Sequence, residues 1–395
     1  MPILPEARTI ARAMPHHDTL PEPSSDASAH SARLVQHIRE HIDEAGGWIP
    51  FSQYMKLALY APELGYYTAG SRKLGKDGDF TTAPELTPLF GQALAQQARQ
   101  LIDDGLTDIL EIGAGSGVLA AAMLEELERL DALPERYLIL ELSPELRARE
   151  RDTLAARVPH LMERVAWLNQ LPPAFSGLVL GNEVLDAMPV EIVRTADMGI
   201  EQGGVDTNLI WSFRPATAQV LEAATALRLP PDYRTEIGLA SQAFVRTLAE
   251  ILERGAILLI DYGFPRAEYY HPQRAAGTLM CHYRHRAHDD PFYLPGLQDI
   301  TAHVDFTAMA EAAHAGGLEV AGYTTQAHLL INLGITDLLM RIPPDDAQRY
   351  LPAAAAVNKL MSPAEMGELF KAVAFTRDID RPLLGFRSGD RRHTL

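Results

Sequence analysis

An apolar run that ends in an acid and then in glycines at alternate positions, Asp108-Ile-Leu-Glu-Ile-Gly-Ala-Gly-Ser-Gly117, leaves little choice of local structure. Val118, Leu119, Ala122, Met123 and Leu127 follow on one face at helical spacing, so the glycines join a strand to the N-terminus of a helix. Glycine has no Cβ and tolerates positive φ, so Gly113, Gly115 and Gly117 let a ligand lie against bare backbone. Further apolar runs near 108–112, 137–141, 165–168, 177–181 and 256–261 alternate with helical patterns, the signature of a parallel sheet in an α/β fold.

Two nucleoside ligands use such a turn. A dinucleotide site wants a small residue three places after the second glycine, and Val118 stands there. The pattern G-x-G-x-G with Glu111 two residues upstream resembles instead the first motif of Rossmann-like methyltransferases, which bind S-adenosyl-L-methionine. Gly113, Ala114, Gly115 and Gly117 then face the cofactor, and Glu111 helps organise its ammonium end. The next strand ends at Glu141, placed to take both ribose hydroxyls, with Leu142 and Ser143 beside it. Ser143-Pro144 reads as a helix cap with proline at the first helical position. A plain structural turn and a solvated strand-end acid are the bland alternatives.

Composition narrows the class. The 395 residues are 47% hydrophobic and 22% charged, ordinary for a globular protein, with a formal net charge of -17. That balance argues against a broad basic surface for nucleic acid and suits a small molecule or a basic group on a protein. The single cysteine, Cys281, excludes a disulfide framework or a Cys-based zinc site within one chain. No run approaches the ~20 apolar residues of a membrane span. Residues 1–30 carry Glu6, Asp18, Glu22 and Asp26 and no hydrophobic signal region, so they read as a flexible tail and not as a presequence.

Residues 31–105 read as a helical N-terminal region that contains a long loop at 65–85, and residues 106–395 as the α/β core. Insertions interrupt the core at about 190–250, as a β-rich excursion followed by a helix over 238–253, and at 262–310, as irregular chain. Ser362-Pro-Ala-Glu365 reads as a capping box opening a late helix, and Leu383–Arg387 as a last strand.

Three stretches could carry chemistry. Gly177–Pro189 delivers Asn182, Glu183 and Asp186 to the C-terminal end of an apolar strand, where open α/β sheets hold their ligand crevice. A capped helix start with acids favoured by the helix dipole is the structural alternative. In the 65–85 loop, Tyr66, Tyr67 and Phe80 offer π faces to a sulfonium cation, and Asp79, Thr81, Thr82 and Glu85 polar contacts, although composition alone favours a surface loop with a capped helix after it. His282, His285 and His288 invite a metal hypothesis, but Pro291, Pro295 and Gly296 mark loop and Arg284 and Arg286 repel a cation, so no metal is expected.

Taken in order, these pieces form a longer pattern. Gly78-Asp-Phe-Thr-Thr-Ala-Pro-Glu85, Glu111–Gly117, Glu141-Leu-Ser-Pro144 and Asn182-Glu-Val-Leu-Asp-Ala-Met-Pro189 are followed by Ile260-Asp-Tyr-Gly263, Gly277-Thr-Leu279, Asp299-Ile-Thr301 and Val304-Asp-Phe306. The chain resembles the MidA-like family over about residues 31–390, a family that includes a mitochondrial complex I assembly factor with protein arginine methyltransferase activity. The resemblance implies a Rossmann-like class I methyltransferase sheet with an N-terminal helical extension and inserted α/β segments. It implies S-adenosyl-L-methionine as methyl donor, with S-adenosyl-L-homocysteine as product, and a protein substrate whose acceptor arginine lies on a complex I core subunit. It turns the Asp79–Glu85 loop towards cofactor and active site, with Phe80, Thr81, Thr82 and Glu85 joining Asn182 and Glu183 at the cofactor. Glu183 is the first candidate to hold and deprotonate the guanidinium, with Asp79 and Asp186 second. The family commonly has Gln or His at position 191, so Glu191 is not paired with Glu183. The same resemblance is compatible with a homodimer, and with the cytoplasm in a bacterium or the mitochondrial matrix in a eukaryote. A small-molecule methyltransferase on the same fold, or a cofactor-binding assembly chaperone without essential catalysis, are the competing readings.

Overall fold

The computed structural model describes residues 20–69, 82–197 and 199–395. Alternate residues of its central strands enter two different cores. Ile109, Tyr137, Leu178, Leu180 and Leu258 meet the helices Pro88–Asp103 and Val118–Arg129 on one face. Leu110, Leu138, Val179, Ile257 and Leu259 meet Leu239–Ile251 and Phe306–Ala315 on the other. Burial on both faces is why these strands read as continuous apolar runs, not alternating ones.

The resulting eight-stranded sheet runs Glu319–Thr325, Phe370–Arg377, Leu252–Phe264, Phe175–Asn182, Asp108–Ile112, Arg136–Leu140, Val165–Leu168, with Val304–Asp305 beside the end of Leu252–Phe264. Phe370–Arg377 is antiparallel to both neighbours; the strands from Leu252 to Leu168 in that order are mutually parallel. From Asp108–Ile112 the chain builds outwards on one side and returns to Phe175–Asn182 on the other. That reversal opens a crevice at the strands' C-terminal ends, between Ile112 and Gly181 in the paired register.

Several expectations need correction. A helix starts at Ser25, inside the segment read as a tail, with Ser24 capping Ala27 N–H and Leu34, Ile38 and Ile42 buried; residues 1–19 lie outside the described residues. A short late helix does follow, Met366–Leu369, but Ser362 does not cap it: Ser362 closes the helix Ala347–Met361 as its C-cap, and its carbonyl accepts the Gly367 N–H at 2.9 Å. Leu383–Arg387 is no strand; its centre is a single 3-10 turn, Leu384–Phe386, pinned by Gln97 and Gln100 side chains. The last strand is Phe370–Arg377, which fills the space between two strands already in place.

The N-terminal helices and both insertions build a third core together. Ile38 and Tyr54 from the helices, Ile192 and Val205 from the first insertion, and Cys281 and Ile300 from the second share it. The short strand Trp48–Pro50 pairs antiparallel with Gly199–Asp206, adding a fifth strand from the N-terminal region to the four that the first insertion supplies. The second insertion is not irregular throughout: Met280–Tyr283, Arg286–His288 and Asp299–Thr301 form a three-stranded sheet.

Candidate active site

The crevice is a cavity of about 620 Å³ lined by the glycine turn, both neighbouring strand ends and residues of the N-terminal region. Gly113, Gly115 and Gly117 all have left-handed φ, 65°, 61° and 79°. The Gly113 N–H donates to Leu140 O at 3.0 Å, which ties the turn to the next strand. Gly113, Ala114 and Gly115 line the cavity. Gly117 does not; a Cβ there would stand 3.0 Å from Glu150 Cα, so its bareness serves helix packing as well as backbone shape.

Glu111 and Glu141 line the cavity from the two strand ends. Glu111 is buried and accepts the Tyr137 hydroxyl at 2.6 Å; burial pushes its pKa up to about 7. Glu141 accepts the Ser143 N–H at 2.7 Å, and Ser143 caps Leu146 N–H at 3.3 Å. Leu142, 70% exposed, forms the rim. Thr82 and Glu85 line the side facing the turn, and the Ser116 hydroxyl donates to Glu85 across the gap. Asp79, Phe80 and Thr81 lie outside the described residues.

At the end of Phe175–Asn182 the backbone turns sharply. Glu183 adopts φ 54°, and its N–H donates to Ile260 O at 2.8 Å. A non-glycine residue holds this conformation only where its surroundings impose it. Here Asp261, at the end of the adjacent strand, does so: its Oδ2 accepts the N–H groups of Val184, Leu185 and Asp186 at 3.1, 2.8 and 3.3 Å. The Glu183 carboxyl thereby faces the cavity, with Oε1 accepting from Asn182 Nδ2 at 3.1 Å and Ala83 N–H at 3.4 Å. Burial first, and the Asp261 charge second, push Glu183 up to about 8. Asn182 Oδ1 is buried without a partner among the described residues, an acceptor available to an N–H donor in the cavity.

Asp186 does not line the cavity; it is buried behind the turn, and its carbonyl accepts the Ala302 N–H. Burial, then Asp261, raise its pKa well above the carboxylate range. Burial raises Asp261 too, to about 7, but its backbone donors favour its ionised form, so of this pair Asp261 gives up its proton before Asp186 does. Glu191 is taken up by the Ser52 hydroxyl and the Gln202 amide, at 2.6 and 2.8 Å. In the histidine stretch, Met280–Tyr283 and Arg286–His288 form a hairpin in which Cys281 pairs with His288 and His282 with Ala287, so His282 and His288 point to opposite faces.

Tyr67 lines the cavity, whereas Tyr66 is buried and meets it edge-on, centroids 5.0 Å apart. Sequence reasoning missed Tyr60, which stacks on Tyr67 at 5.5 Å and 22°, along with Lys56, Met188 and Phe244 in the lining. The spacing of Lys56 and Tyr60, one turn apart on the same helix, was the only local signal for that face.

The glycine turn, the strand-end acid and the orphaned Asn182 acceptor fit a nucleoside carrying an amino-acid tail, and comparisons point the same way. Residues 89–324 match the model of a family described as S-adenosyl-L-methionine-dependent methyltransferase. The mitochondrial protein arginine methyltransferase NDUFAF7 homolog of Drosophila melanogaster is 28% identical over 412 residues, covering 93% of this chain and 91% of that protein. The Mus musculus protein arginine methyltransferase NDUFAF7 is 29% identical, covering 85% and 83%. A crystal structure of a Burkholderia thailandensis protein bound to S-adenosyl-homocysteine has a TM-score of 0.92 at 52% identity, over 95% of this chain and 100% of that one.

Proposed function

The chain belongs to the S-adenosyl-L-methionine-dependent methyltransferase family whose model it matches, and from that premise we propose that it is a protein arginine N-methyltransferase. Its acceptor, by the resemblance to the MidA-like family, is an arginine of a respiratory complex I core subunit, or the bacterial counterpart, methylated during assembly. The names of the curated relatives support the arginine acceptor. Acting in the cytoplasm of a bacterium, or in the matrix of a mitochondrion, goes with the same reading. Among the described residues no helix is long and apolar enough to cross a membrane.

The observation that carries the proposal is Glu183, a carboxyl presented to the cavity from a left-handed backbone and surrounded by further acids. Bound S-adenosyl-L-methionine supplies a methyl group already activated on a sulfonium. What remains for the protein is to position a nucleophile. A guanidinium is a poor one, being delocalised and protonated, with a pKa above ~12. Glu183 holds it through charge-assisted hydrogen bonds and aims one nitrogen inwards. Its raised pKa suits it to accept the proton that the nitrogen loses on methylation. Thr82, Glu85, Glu111, the Gly113–Gly115 turn, Glu141–Ser143 and Asn182 hold the cofactor in this scheme, with Phe80 and Thr81 assigned to the same site, Asp79 as a second candidate to hold the guanidinium, and Asp186 to the support of Glu183.

Mass spectrometry of methylarginine in cells with and without this protein tests the acceptor. Loss of a methylarginine in the deletion strain, restored by the wild-type chain and not by Glu183→Gln, is the expected result. An unchanged methylarginine profile would remove the arginine assignment.

A further inference from the structure

We infer that Tyr60 and Tyr67 form the wall of the cavity that receives the acceptor's positively charged nitrogen group. The inference rests on the reading of this cavity as a methyl-transfer site for a cationic acceptor. The stack has a local cause. Tyr60 ends the helix Phe51–Tyr60, and the chain then folds back so that the Tyr66 and Tyr67 N–H groups donate to Ala58 O and Leu59 O at 2.9 and 2.8 Å. Gly65 makes the return possible, since a Cβ there would stand 2.6 Å from the backbone nitrogens of Tyr60 and Ala61.

Both phenols spend their only hydrogen inside the protein. Tyr60 donates to Ala187 O at 3.0 Å, and Tyr67 donates to Asp299 Oδ1 at 2.9 Å. What each has left for the cavity it lines is its ring and oxygen lone pairs, with no donor. Such a wall attracts an N–H cation and offers nothing to a carboxylate or a carbonyl. Burial, then the Asp299 charge, raises both phenol pKa values, so neither becomes a phenolate at neutral pH. The wall is also fastened to the turn that bears Glu183. Ala187 belongs to that turn, and Ala302, three residues after Asp299, donates to Asp186 O at 2.9 Å. N-terminal helix, second insertion and core strand thus meet at one part of the cavity wall.

The test compares a neutral isostere with the cation. Binding of acetyl-Gly-Gly-Arg-Gly-Gly-amide and of its citrulline counterpart is measured by calorimetry on the S-adenosyl-L-homocysteine complex of wild type, Tyr60→Leu and Tyr67→Leu. Wild type should favour arginine about tenfold, and each variant should reduce that preference to about twofold. Melting temperature and S-adenosyl-L-homocysteine affinity confirm that the variants fold, and Tyr67→Phe keeps the ring should Leu disturb packing. The inference is overturned if wild type binds both peptides alike, or if the variants keep the preference. It is also overturned if they lose only the ratio of S-adenosyl-L-methionine to S-adenosyl-L-homocysteine affinity, which would assign the wall to the sulfonium. A protein that methylates lysine peptides and not arginine would defeat the arginine reading alone; a matching loss of preference for lysine over acetyl-lysine peptide in the variants would then still support the wall.

Discussion

The backbone N–H of Leu185 donates to Asp261 Oδ2 at 2.8 Å, and the same oxygen takes the N–H groups of the residues on either side. One carboxylate at the end of one strand therefore shapes the turn at the end of its neighbour, and the turn aims Glu183. This latch is stronger than an ordinary loop contact because three donors converge on one buried carboxyl oxygen, where competing water is absent.

Asp261→Ala should accordingly harm both stability and site. Stranding buried N–H donors costs about 1–3 kcal/mol apiece, so urea denaturation should show a loss of at least about 2 kcal/mol. Methyl transfer should fall further than the stability loss explains, because Glu183 loses its enforced backbone. A variant as stable as wild type would show that the turn holds itself.

The raised pKa of Glu183 gives a pH signature. In the free enzyme this carboxyl titrates near 8, so kcat/KM should climb with pH and level off above that value. A cation in the cavity favours the ionised form and lowers the pKa, so binding the sulfonium at pH 7.5 should release a proton. Calorimetry in buffers of different ionisation enthalpy should find more protons released by S-adenosyl-L-methionine than by the neutral-sulfur product. Glu183→Gln should abolish that difference, keep product binding, and cut transfer by roughly 10²–10⁴. Equal proton release by both ligands would contradict the placement of Glu183 beside the sulfonium.

Gly113→Val should crowd the cofactor. Position 113 has φ 65°, which a β-branched residue adopts at a cost of about 1–2 kcal/mol, and the added side chain would enter the cavity that Gly113 lines. Product affinity measured by calorimetry should drop at least tenfold; undiminished binding would move the cofactor away from this turn.

Glu150 should set a pH dependence of stability independent of catalysis. It is fully buried under Gly117, takes the Trp167 indole N–H at 2.7 Å, and is pushed up to about 8 by burial first and by Glu141 second. A folded-state pKa above the unfolded value of about 4.3 means that the native state binds the extra proton. Stability is then greatest at low pH within that window and falls as pH rises from about 4.3 to 8. Melting temperatures should decline over pH 5.5–8 in wild type and decline less in Glu150→Gln, which keeps an acceptor for Trp167 and carries no charge. Parallel curves would exclude Glu150 as the source.

Much of the glycine-turn side of the cavity was legible because its signals are local. Strand, glycine turn and helix follow within residues 108–129, and Glu141 ends the very next strand. The side built by Asp261 and the tyrosine pair was not. Val184 and Asp261 are 77 residues apart, Tyr67 and Asp299 232, and no periodicity reports a hydrogen bond across such distances. The late segments misled for a related reason. Ser362-Pro-Ala-Glu365 has the composition of a helix start, but the helix Ala347–Met361 already occupies the approach and claims Ser362 as its end. Leu383–Arg387 has a strand's composition, yet the neighbouring sheet position is filled by Phe370–Arg377.

By itself, then, the amino-acid sequence determined the parallel α/β core, the strand–turn–helix that lines the cavity, and the acids at the strand tips, since backbone conformation and burial period are written residue by residue. Only the tertiary structure decided which acid faces the cavity and which lies behind it, and that a stacked tyrosine pair lines it. Those outcomes depend on where distant hydrogen-bond donors and buried charges come to rest, and that is settled when the three cores pack together.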